Sequence, residues 1–267
     1  MSEQSTAPRR LARGFEGAVL KLLRADDHEI RLTARRPLPG RMLRLSFASP
    51  TLFGAAPPFP SFWIRIWFPD PAAPGRAHQR AYTVLNADPE AGTFDVDFLV
   101  HEPAGPASGW AGTAEPGEVL AATVYGSKEY PTGPGRRHVL LADLASLPAA
   151  RDVAAALAAD GAEARVHIVL LPAEDWRGAP DGRPETDGME RADVAWTIDR
   201  GTGDELAAAA GPDLAWADAV WIAGESGRIR TLRRAVKENT SLGRKDVHAL
   251  AYWASGRAMG RSSSEAG

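Results

Sequence analysis

In the first half of the chain, apolar and polar residues alternate over short stretches separated by turn-forming residues. In the clearest stretch, 94–101, Phe94, Val96, Phe98 and Val100 fall on one side of an extended chain. Because successive side chains of a strand point to opposite faces, this stretch predicts a strand with one buried face. Several such strands at short spacing are typical of an antiparallel barrel. The predicted strands are 15–23, 30–33, 42–47, 62–68, 81–85 and 94–101, interrupted by one helix over 106–114.

The pattern changes after a proline- and glycine-rich segment at 131–137, which has the composition of a linker. From there on, continuous apolar stretches alternate with segments of helical composition. Strands that are buried on both faces and alternate with helices predict a parallel, doubly wound sheet. The predicted strands are 138–142, 165–171, 194–198, 219–223 and 247–252, and the predicted helices are 149–160, 204–210 and 225–239.

Together the two patterns predict a β-barrel domain followed by an α/β domain. The predicted boundaries are 13–131 for the barrel and 137–257 for the α/β domain, with a flexible tail at 258–267. This plan is common among two-cofactor reductases, but the same architecture serves other functions, so the function must be argued from particular residues.

Composition excludes several classes of function. The 267 residues carry a net charge of −3 and a pI near 6.1, so nucleic acid is not expected as a partner. The sequence has no cysteine, which excludes disulfides, thiolate nucleophiles and cysteine-held metals. Its six histidines are scattered without ligand spacing, so no protein metal site is predicted. With neither a secretory signal nor a long apolar segment, we expect a cytoplasmic protein without membrane insertion.

The first candidate for chemistry is the tetrapeptide Arg-Ala-Tyr-Thr, 80–83. On a strand, Arg80 and Tyr82 share a face and Thr83 points to the other. An arginine can pair with a pyrophosphate, and a tyrosine can pack on a flavin ring. Taken alone, the tetrapeptide is more typical of an ordinary barrel strand that carries a surface arginine.

The second candidate is the strand 96–101 and the helix start that follows it, Gly-Pro-Ala-Ser-Gly-Trp-Ala at 105–111. Glycine and proline open the helix and leave backbone N–H groups of its first turn available to a phosphate, to which Ser108 could add a hydroxyl. The alternative is a plain helix start with Trp110 in the core.

In this order, Arg-x-Tyr-Thr, Asp-Phe-Leu-Val-His and Gly-Pro-Ala-Ser-x-Trp-Ala resemble the siderophore-interacting protein family. The resemblance continues through the turn 143–148, through Val-Ala-Trp at 194–196 with Arg200, through Trp-Ile-Ala-Gly-Glu at 221–225, and through Tyr252, Trp253 and Gly256. The resemblance covers about residues 62–257.

Members of this family are FAD-containing, NAD(P)H-dependent ferric-siderophore reductases. The resemblance therefore implies a ferredoxin reductase-like fold, FAD and NAD(P)H as cofactors, and a ferric siderophore as partner.

The resemblance also implies roles for particular residues, although it names no catalytic residue. The flavin would be held by Arg80, Tyr82 and Thr83, with Asp97 and His101 near its ring system and Gly105, Ala107 and Ser108 around its phosphates. Asp143, Glu225 and Trp253 would lie at the nicotinamide side. The location of Lys128, Arg257 and Arg261 makes them candidates to attract an acidic ferric chelate.

The sequence departs from the family pattern in the turn 143–148, Asp-Leu-Ala-Ser-Leu-Pro, where the family's usual Glu and Thr are Leu144 and Ala145. Ser146, one position later, is the candidate to supply the missing hydroxyl. The family's His-Gly is His101-Glu102 here. The altered turn leaves nicotinamide binding open, and with it a ferredoxin as electron donor and a non-catalytic flavin-binding protein as an alternative. The loop 172–191 carries both acidic residues (Glu174, Asp175) and arginines (Arg177, Arg183), so it does not rank NADH against NADPH. A flavoprotein that serves a biosynthetic or electron-transfer partner is the second alternative.

Two charged patterns have ordinary structural interpretations. Asp95 and Asp97 predict a solvated strand face. The cluster Arg228, Arg230, Arg233, Arg234 and Lys237 predicts either a solvated helix face or a surface that attracts an anionic substrate or a 2′-phosphate.

Overall fold

The computed structural model describes residues 12–13, 26–39, 41–170 and 184–255. They form two compact units: one runs to Pro37 and resumes over Met42–Ser127, and the other consists of Leu38–Arg41 and the chain from Lys128 onwards. Among the described helices, none has the length and apolar character needed to cross a membrane.

In its described residues, the first unit is a seven-stranded sheet with two short helices. In space its strands follow the order β4-β3-β7-β1-β2-β6-β5, and the β1/β7, β3/β7, β3/β4, β2/β6 and β5/β6 pairs are antiparallel. The strands are β1 (Asp27–Leu38), β2 (Met42–Ala48), β3 (Trp63–Pro69), β4 (Ala77–Thr83), β5 (Leu85–Asp88), β6 (Thr93–Leu99) and β7 (Val119–Thr123). The helices are α1 (Leu52–Ala55) and α2 (Pro106–Thr113).

One hydrophobic core shows that this sheet curls into a barrel. Tyr82 lies on β4, at one end of the strand order, and Phe98 on β6, near the other end, yet their ring centroids are only 4.3 Å apart. Alternation supplies the inward face, because Phe94, Val96 and Phe98 are all buried in this core. The predicted antiparallel barrel is therefore confirmed.

The element predictions for the barrel hold with three corrections. The predicted strand 81–85 is two strands, because the chain leaves β4 after Thr83 and starts β5 at Leu85. The short helix α1 was not predicted. Strand β7 was also missed, because its sequence Val-Leu-Ala-Ala-Thr has no clear apolar and polar alternation. The predicted strand 15–23 lies outside the described residues.

The second unit is a five-stranded parallel sheet in the order β10-β9-β8-β11-β12. The chain moves outward from β8 to β9 and β10, then crosses back to place β11 on the other side of β8. In such sheets a crevice forms at the carboxyl ends of the two strands where the order reverses, here β8 and β11. The elements are β8 (Arg137–Asp143), α3 (Leu147–Ala159), β9 (Glu163–Leu170), β10 (Asp193–Ile198), α4 (Asp204–Trp216), β11 (Ala219–Glu225), α5 (Ser226–Asn239), a 3₁₀ turn (Arg244–Asp246) and β12 (Val247–Trp253).

This sheet confirms the predicted doubly wound α/β domain. Alternate residues of β8, Val139 and Leu141, pack in one core with α4 and α5, and α3 packs against β8 and β9. Helix α4 is longer than predicted. The predicted helix ends at Ala210, directly before Gly211 and Pro212, but the buried stripe Leu206, Ala210 and Leu214 continues past them at helical spacing.

Candidate functional site

Strand β4 presents the Arg-x-Tyr-Thr tetrapeptide with the predicted alternation. Tyr82 is paired in register with the buried Ile64, and Arg80 with the buried Ile66, so both lie on the same face; Thr83 is paired with Trp63 on the other. Tyr82 packs on the rings of Phe98 and Phe68, and burial raises the pKa of its hydroxyl well above the ordinary tyrosine value. Tyr82 is therefore a neutral ring held by the core, with part of its surface still exposed.

Arg80 is a half-buried cation without a carboxylate partner among the described residues. Its guanidinium donates one hydrogen bond, to the carbonyl of Gln79 at 2.7 Å. Three other arginines of the barrel strands, Arg31, Arg35 and Arg44, each meet an acidic side chain. A guanidinium in this state suits an anionic ligand such as a pyrophosphate.

Helix α2 begins in a way that leaves donors available. Gly105 is the extended N-cap residue, Pro106 occupies the first helical position, and no side chain caps the helix. The N–H groups of Ala107 and Ser108 therefore have no intrahelical acceptor. A Cβ added at Gly105 would meet nothing within 4 Å, so there is room for a ligand beside these N–H groups. Together with Arg80, this arrangement fits the phosphates of FAD.

The hydroxyl of Ser108 is used within the protein. It accepts a hydrogen bond from the backbone N–H of His101 at 3.1 Å and lies 3.5 Å from the carbonyl of the same residue. Ser108 thus fastens the chain before α2 to the start of the helix, which leaves its backbone N–H as its available donor. The side chain of His101 is exposed. Roles for both residues at the flavin remain predictions.

Asp97 does not lie on a solvated strand face, and that interpretation was wrong. It is buried opposite Arg44 of β2, which donates from Nε and Nη2 to its two carboxylate oxygens at 2.6 and 2.7 Å. Asp95 accepts hydrogen bonds from Ser46 and Asn86. Arg44 was missed by the sequence analysis because the pairing depends on the β2/β6 register, which brings together residues 53 positions apart.

In the second unit, the carboxylate of Asp143 lies at the point where the strand order reverses. Its Oδ2 accepts hydrogen bonds from the N–H of Glu225 at 3.0 Å and from the indole Nε1–H of Trp253 at 2.8 Å. Its Oδ1 accepts from the N–H of Ser146 at 3.0 Å, and the Ser146 hydroxyl lies 3.1 Å from the same oxygen. The structure therefore brings together the three residues predicted for the nicotinamide side, Asp143, Glu225 and Trp253.

Glu225 is the N-cap of α5. One carboxylate oxygen accepts from the backbone N–H groups of Gly227 and Arg228, and the other from the Ser226 hydroxyl and the N–H of Ser255. Burial works to raise the pKa of Glu225, but these hydrogen bonds outweigh it and hold the pKa below its ordinary value. Glu225 is therefore an ionised cap that joins the end of β11 to the chain after β12.

Arg228 corrects the interpretation of the basic cluster. It is buried, with Nη1 3.5 Å from Asp143 and Nε 3.7 Å from Asp199, a fully buried carboxylate after β10. The other four basic residues of the cluster are exposed. The charge run alone could not reveal this difference, because it depends on which face of α5 meets the sheet.

Of the residues predicted to attract an acidic chelate, Lys128 is exposed, and Arg257 and Arg261 lie outside the described residues. Within the described part of the chain, no three acidic or histidine side chains are grouped so that they could hold a metal ion.

The chain has an FAD-binding barrel followed by a parallel sheet with a crevice at the carboxyl ends of its strands. This arrangement defines a class of protein, the ferredoxin reductase-like flavoproteins. The ferredoxin reductase in carbazole 1,9a-dioxygenase shares this fold, with a TM-score of 0.67 at 17% identity over 86% of this chain and 70% of that chain. Within this class, the chain belongs to the siderophore-interacting protein family. The family's FAD-binding domain matches residues 38–124, and the siderophore-interacting protein model matches residues 135–256.

Individual relatives agree with this assignment. A siderophore utilization protein from T. fusca has a TM-score of 0.70 at 25% identity, over 88% of this chain and 95% of that one. The mycobactin import ATP-binding/permease protein IrtA of Mycolicibacterium thermoresistibile is 34% identical over 96% of this chain, which spans only 28% of that relative's length. Ferric vibriobactin reductase ViuB of Vibrio cholerae is 24% identical over 67% of this chain and 65% of its own length.

Proposed function

We propose that this protein is an FAD-dependent reductase that releases iron from ferric siderophores by reducing Fe(III) to Fe(II). The observation that carries the proposal is the state of the flavin-site residues in a chain of this family. Arg80 has no carboxylate partner among the described residues, and the first turn of α2 offers free N–H groups beside open space at Gly105. Bound FAD would take up electrons in pairs and pass them on singly.

The chain's own residues bind and orient the flavin. Arg80 would pair with the pyrophosphate, and the N–H groups of Ala107 and Ser108 would bind a phosphate oxygen. The exposed part of Tyr82 would contact the ring system, and the core behind it would prevent that ring from shifting. Thr83 would offer a hydroxyl, which has no hydrogen-bond partner in the described part of the chain.

For the acceptor, we propose a ferric siderophore. One relative is named for ferric vibriobactin reduction and others for mycobactin import. One NAD(P)H supplies two electrons, so NAD(P)H and two ferric chelates become NAD(P)⁺, a proton and two ferrous chelates. Hard oxygen ligands bind Fe(II) less tightly than Fe(III), so reduction releases the metal while the chelator stays intact. Lys128 is the described residue that we propose as a contact for an acidic chelate.

The electron donor is the second part of the proposal. The crevice between β8 and β11 has the position of a nucleotide site, which supports NAD(P)H. However, the polar groups of the turn 143–148 are used within the protein, since the Ser146 hydroxyl donates to the carbonyl of Ala223 at 2.7 Å and is buried. This observation favours a second candidate, in which a ferredoxin reduces the flavin and nicotinamide is not used.

Absorbance spectroscopy of the purified protein tests both parts. We expect a flavin spectrum that is bleached anaerobically by NADH, NADPH or reduced ferredoxin and is restored by ferric vibriobactin or ferric mycobactin, with two equivalents of iron reduced per flavin. A colourless protein that takes up no FAD would contradict the proposal. A yellow protein that no donor bleaches would indicate a flavin-binding protein without reductase activity. Reoxidation by other acceptors but not by ferric chelates would indicate a different electron-transfer partner.

A further inference from the structure

The carboxylate of Asp143 is surrounded by hydrogen-bond donors. The N–H groups of Glu225 and Ser146 and the indole N–H of Trp253 donate to it, and the guanidinium of Arg228 lies 3.5 Å from Oδ2. These donors come from the ends of β11 and β12, and from the starts of the helices that follow β8 and β11. A carboxylate accepts at both oxygens, whereas an amide of the same shape would accept at only one.

The surroundings of Asp143 leave no room for a ligand to reach it through the neighbouring turn. Gly224 has a φ of +148°, and a Cβ at this position would lie 2.6 Å from Oδ2 of Asp143. The carboxylate is buried and both of its oxygens are occupied. Direct contact of Asp143 with a cofactor, as predicted from the family resemblance, would require the protein to give up these hydrogen bonds.

We propose that Asp143 is a positioning residue: it anchors the indole of Trp253 at the carboxyl end of β12, so that the ring presents a fixed face to the crevice. Trp253 is only partly buried, and it follows directly on the register shift between β11 and β12, where the backbone pairing becomes irregular. Its bond to Asp143, across 110 residues of sequence, is a specific restraint on the orientation of the ring. This inference rests on the proposed function, because the ring that Asp143 holds would orient NAD(P)H in the crevice.

Three variants separate an anchoring role from direct binding. Asp143→Asn keeps the shape of the side chain but replaces one acceptor oxygen with a donor group. Trp253→Phe keeps a ring and removes the indole N–H. Leu214→Val is the control, because it trims a fully buried residue of α4 in the apolar core and removes no hydrogen-bonding group. The double variant Asp143→Asn/Trp253→Phe completes the comparison.

The first measurement observes the anchor itself, independently of any electron donor. In the NMR spectrum of protein labelled with ¹⁵N-tryptophan, the signal that disappears in Trp253→Phe identifies the indole N–H of Trp253. We expect this signal to move upfield and to exchange faster with solvent in Asp143→Asn, and to stay in place in Leu214→Val. An unmoved signal in Asp143→Asn would overturn the proposal.

The second measurement is anaerobic reduction of the bound flavin over a range of NAD(P)H concentrations. We expect the concentration for half-maximal rate to rise about tenfold in Asp143→Asn and in Trp253→Phe, with flavin content unchanged. If Asp143 acts through Trp253, the NAD(P)H concentration for half-maximal rate is no higher in the double variant than in Asp143→Asn alone. If the rise in that concentration in the double variant equals the product of the rises in the two single variants, Asp143 contacts the donor directly and the proposal is overturned. Failure of NAD(P)H to reduce the unmodified protein would refute the nicotinamide part of the proposed function, while the NMR measurement would still decide whether the anchor exists.

Discussion

At the scale of single residues, the charged groups of the barrel differ in whether they already have partners. Arg44 and Asp97 satisfy each other in a buried, two-pronged pair, whereas Arg80 has no acidic neighbour in the described part of the chain. The first arrangement stabilises the fold, and the second is suited to an external anion. Substitution of each should therefore affect a different measurable quantity.

For the buried pair, we expect Asp97→Ala to lower the free energy of unfolding by about 3–5 kcal/mol, because it leaves a buried guanidinium without its carboxylate. Urea unfolding measures this change. The matched control is Glu29→Ala, which removes the acid of the exposed Arg31–Glu29 pair and should cost less than about 1 kcal/mol. Equal losses in the two variants would mean that the Arg44–Asp97 pair is not the buried interaction described above.

For the unpaired arginine, we expect Arg80→Ala to weaken FAD binding roughly tenfold to a hundredfold, the loss of one charge-assisted contact with an anion. Titration of the apoprotein with FAD, followed by flavin fluorescence, measures the change. Arg80→Lys should recover only part of the affinity, because lysine lacks the planar fork. Arg76→Ala, at an exposed position before β4, is the control. FAD affinity that is unchanged in Arg80→Ala would remove Arg80 from the flavin site.

At the scale of elements, the end of β11 depends on a glycine. Gly224 combines a φ of +148° with close contact to Asp143, while Gly201 has a φ of +111° and nothing within 4 Å of an added Cβ. Both Ala substitutions incur backbone strain. Only Gly224→Ala also forces Asp143 out of place, so we expect it to lower the free energy of unfolding by about 2 kcal/mol more than Gly201→Ala. Chemical denaturation compares the two. A similar loss in both would mean that the contact at Gly224 contributes little.

At the scale of the whole molecule, three partly or wholly buried histidines link stability to pH. Burial lowers the pKa of His28, His138 and His248, and the nearby cations Arg136 and Lys128 lower the last two further. An unfolded histidine titrates near pH 6.5, so below that pH the unfolded chain binds more protons than the folded one. The contribution of these histidines to the free energy of unfolding should therefore be complete above about pH 6.5 and decline as the pH falls towards 5.

Urea unfolding at several pH values between about 7.5 and 5.5 measures this dependence, whose slope is at most about 1.4 kcal/mol per pH unit for each histidine. We expect His138→Asn to make the slope shallower, whatever its effect on stability at neutral pH. Glu225 does not interfere, because its pKa is lowered and its contribution to stability is lost only in more acidic solution. A stability that is flat over this range would contradict the prediction.

The sequence by itself determined the two fold classes and the order of most elements. Alternation at Phe94, Val96 and Phe98 marks a strand with one buried face, and the continuous apolar stretch at 138–142 marks a strand buried on both, because these patterns follow from local strand geometry. The Arg-x-Tyr-Thr and Gly-Pro-Ala-Ser segments also identified the candidate flavin residues, since each depends on the conformation of a few consecutive residues. What the local pattern could not reveal was β7, whose Val-Leu-Ala-Ala-Thr sequence forms a strand because two neighbouring strands pair with it.

Only the tertiary structure decided which polar side chains are available to a ligand. Asp97 and Arg228 had the sequence appearance of solvated charges, but the β2/β6 register and the docking of α5 bury both. Asp143 is a predicted cofactor contact, and the structure adds that residues 82 and 110 positions away donate hydrogen bonds to one of its oxygens. The availability of a side chain depends on partners distant in sequence, which no local pattern encodes. For that reason the sequence could suggest a candidate flavin site, which is built from short segments, but not the hydrogen bond between Asp143 and Trp253.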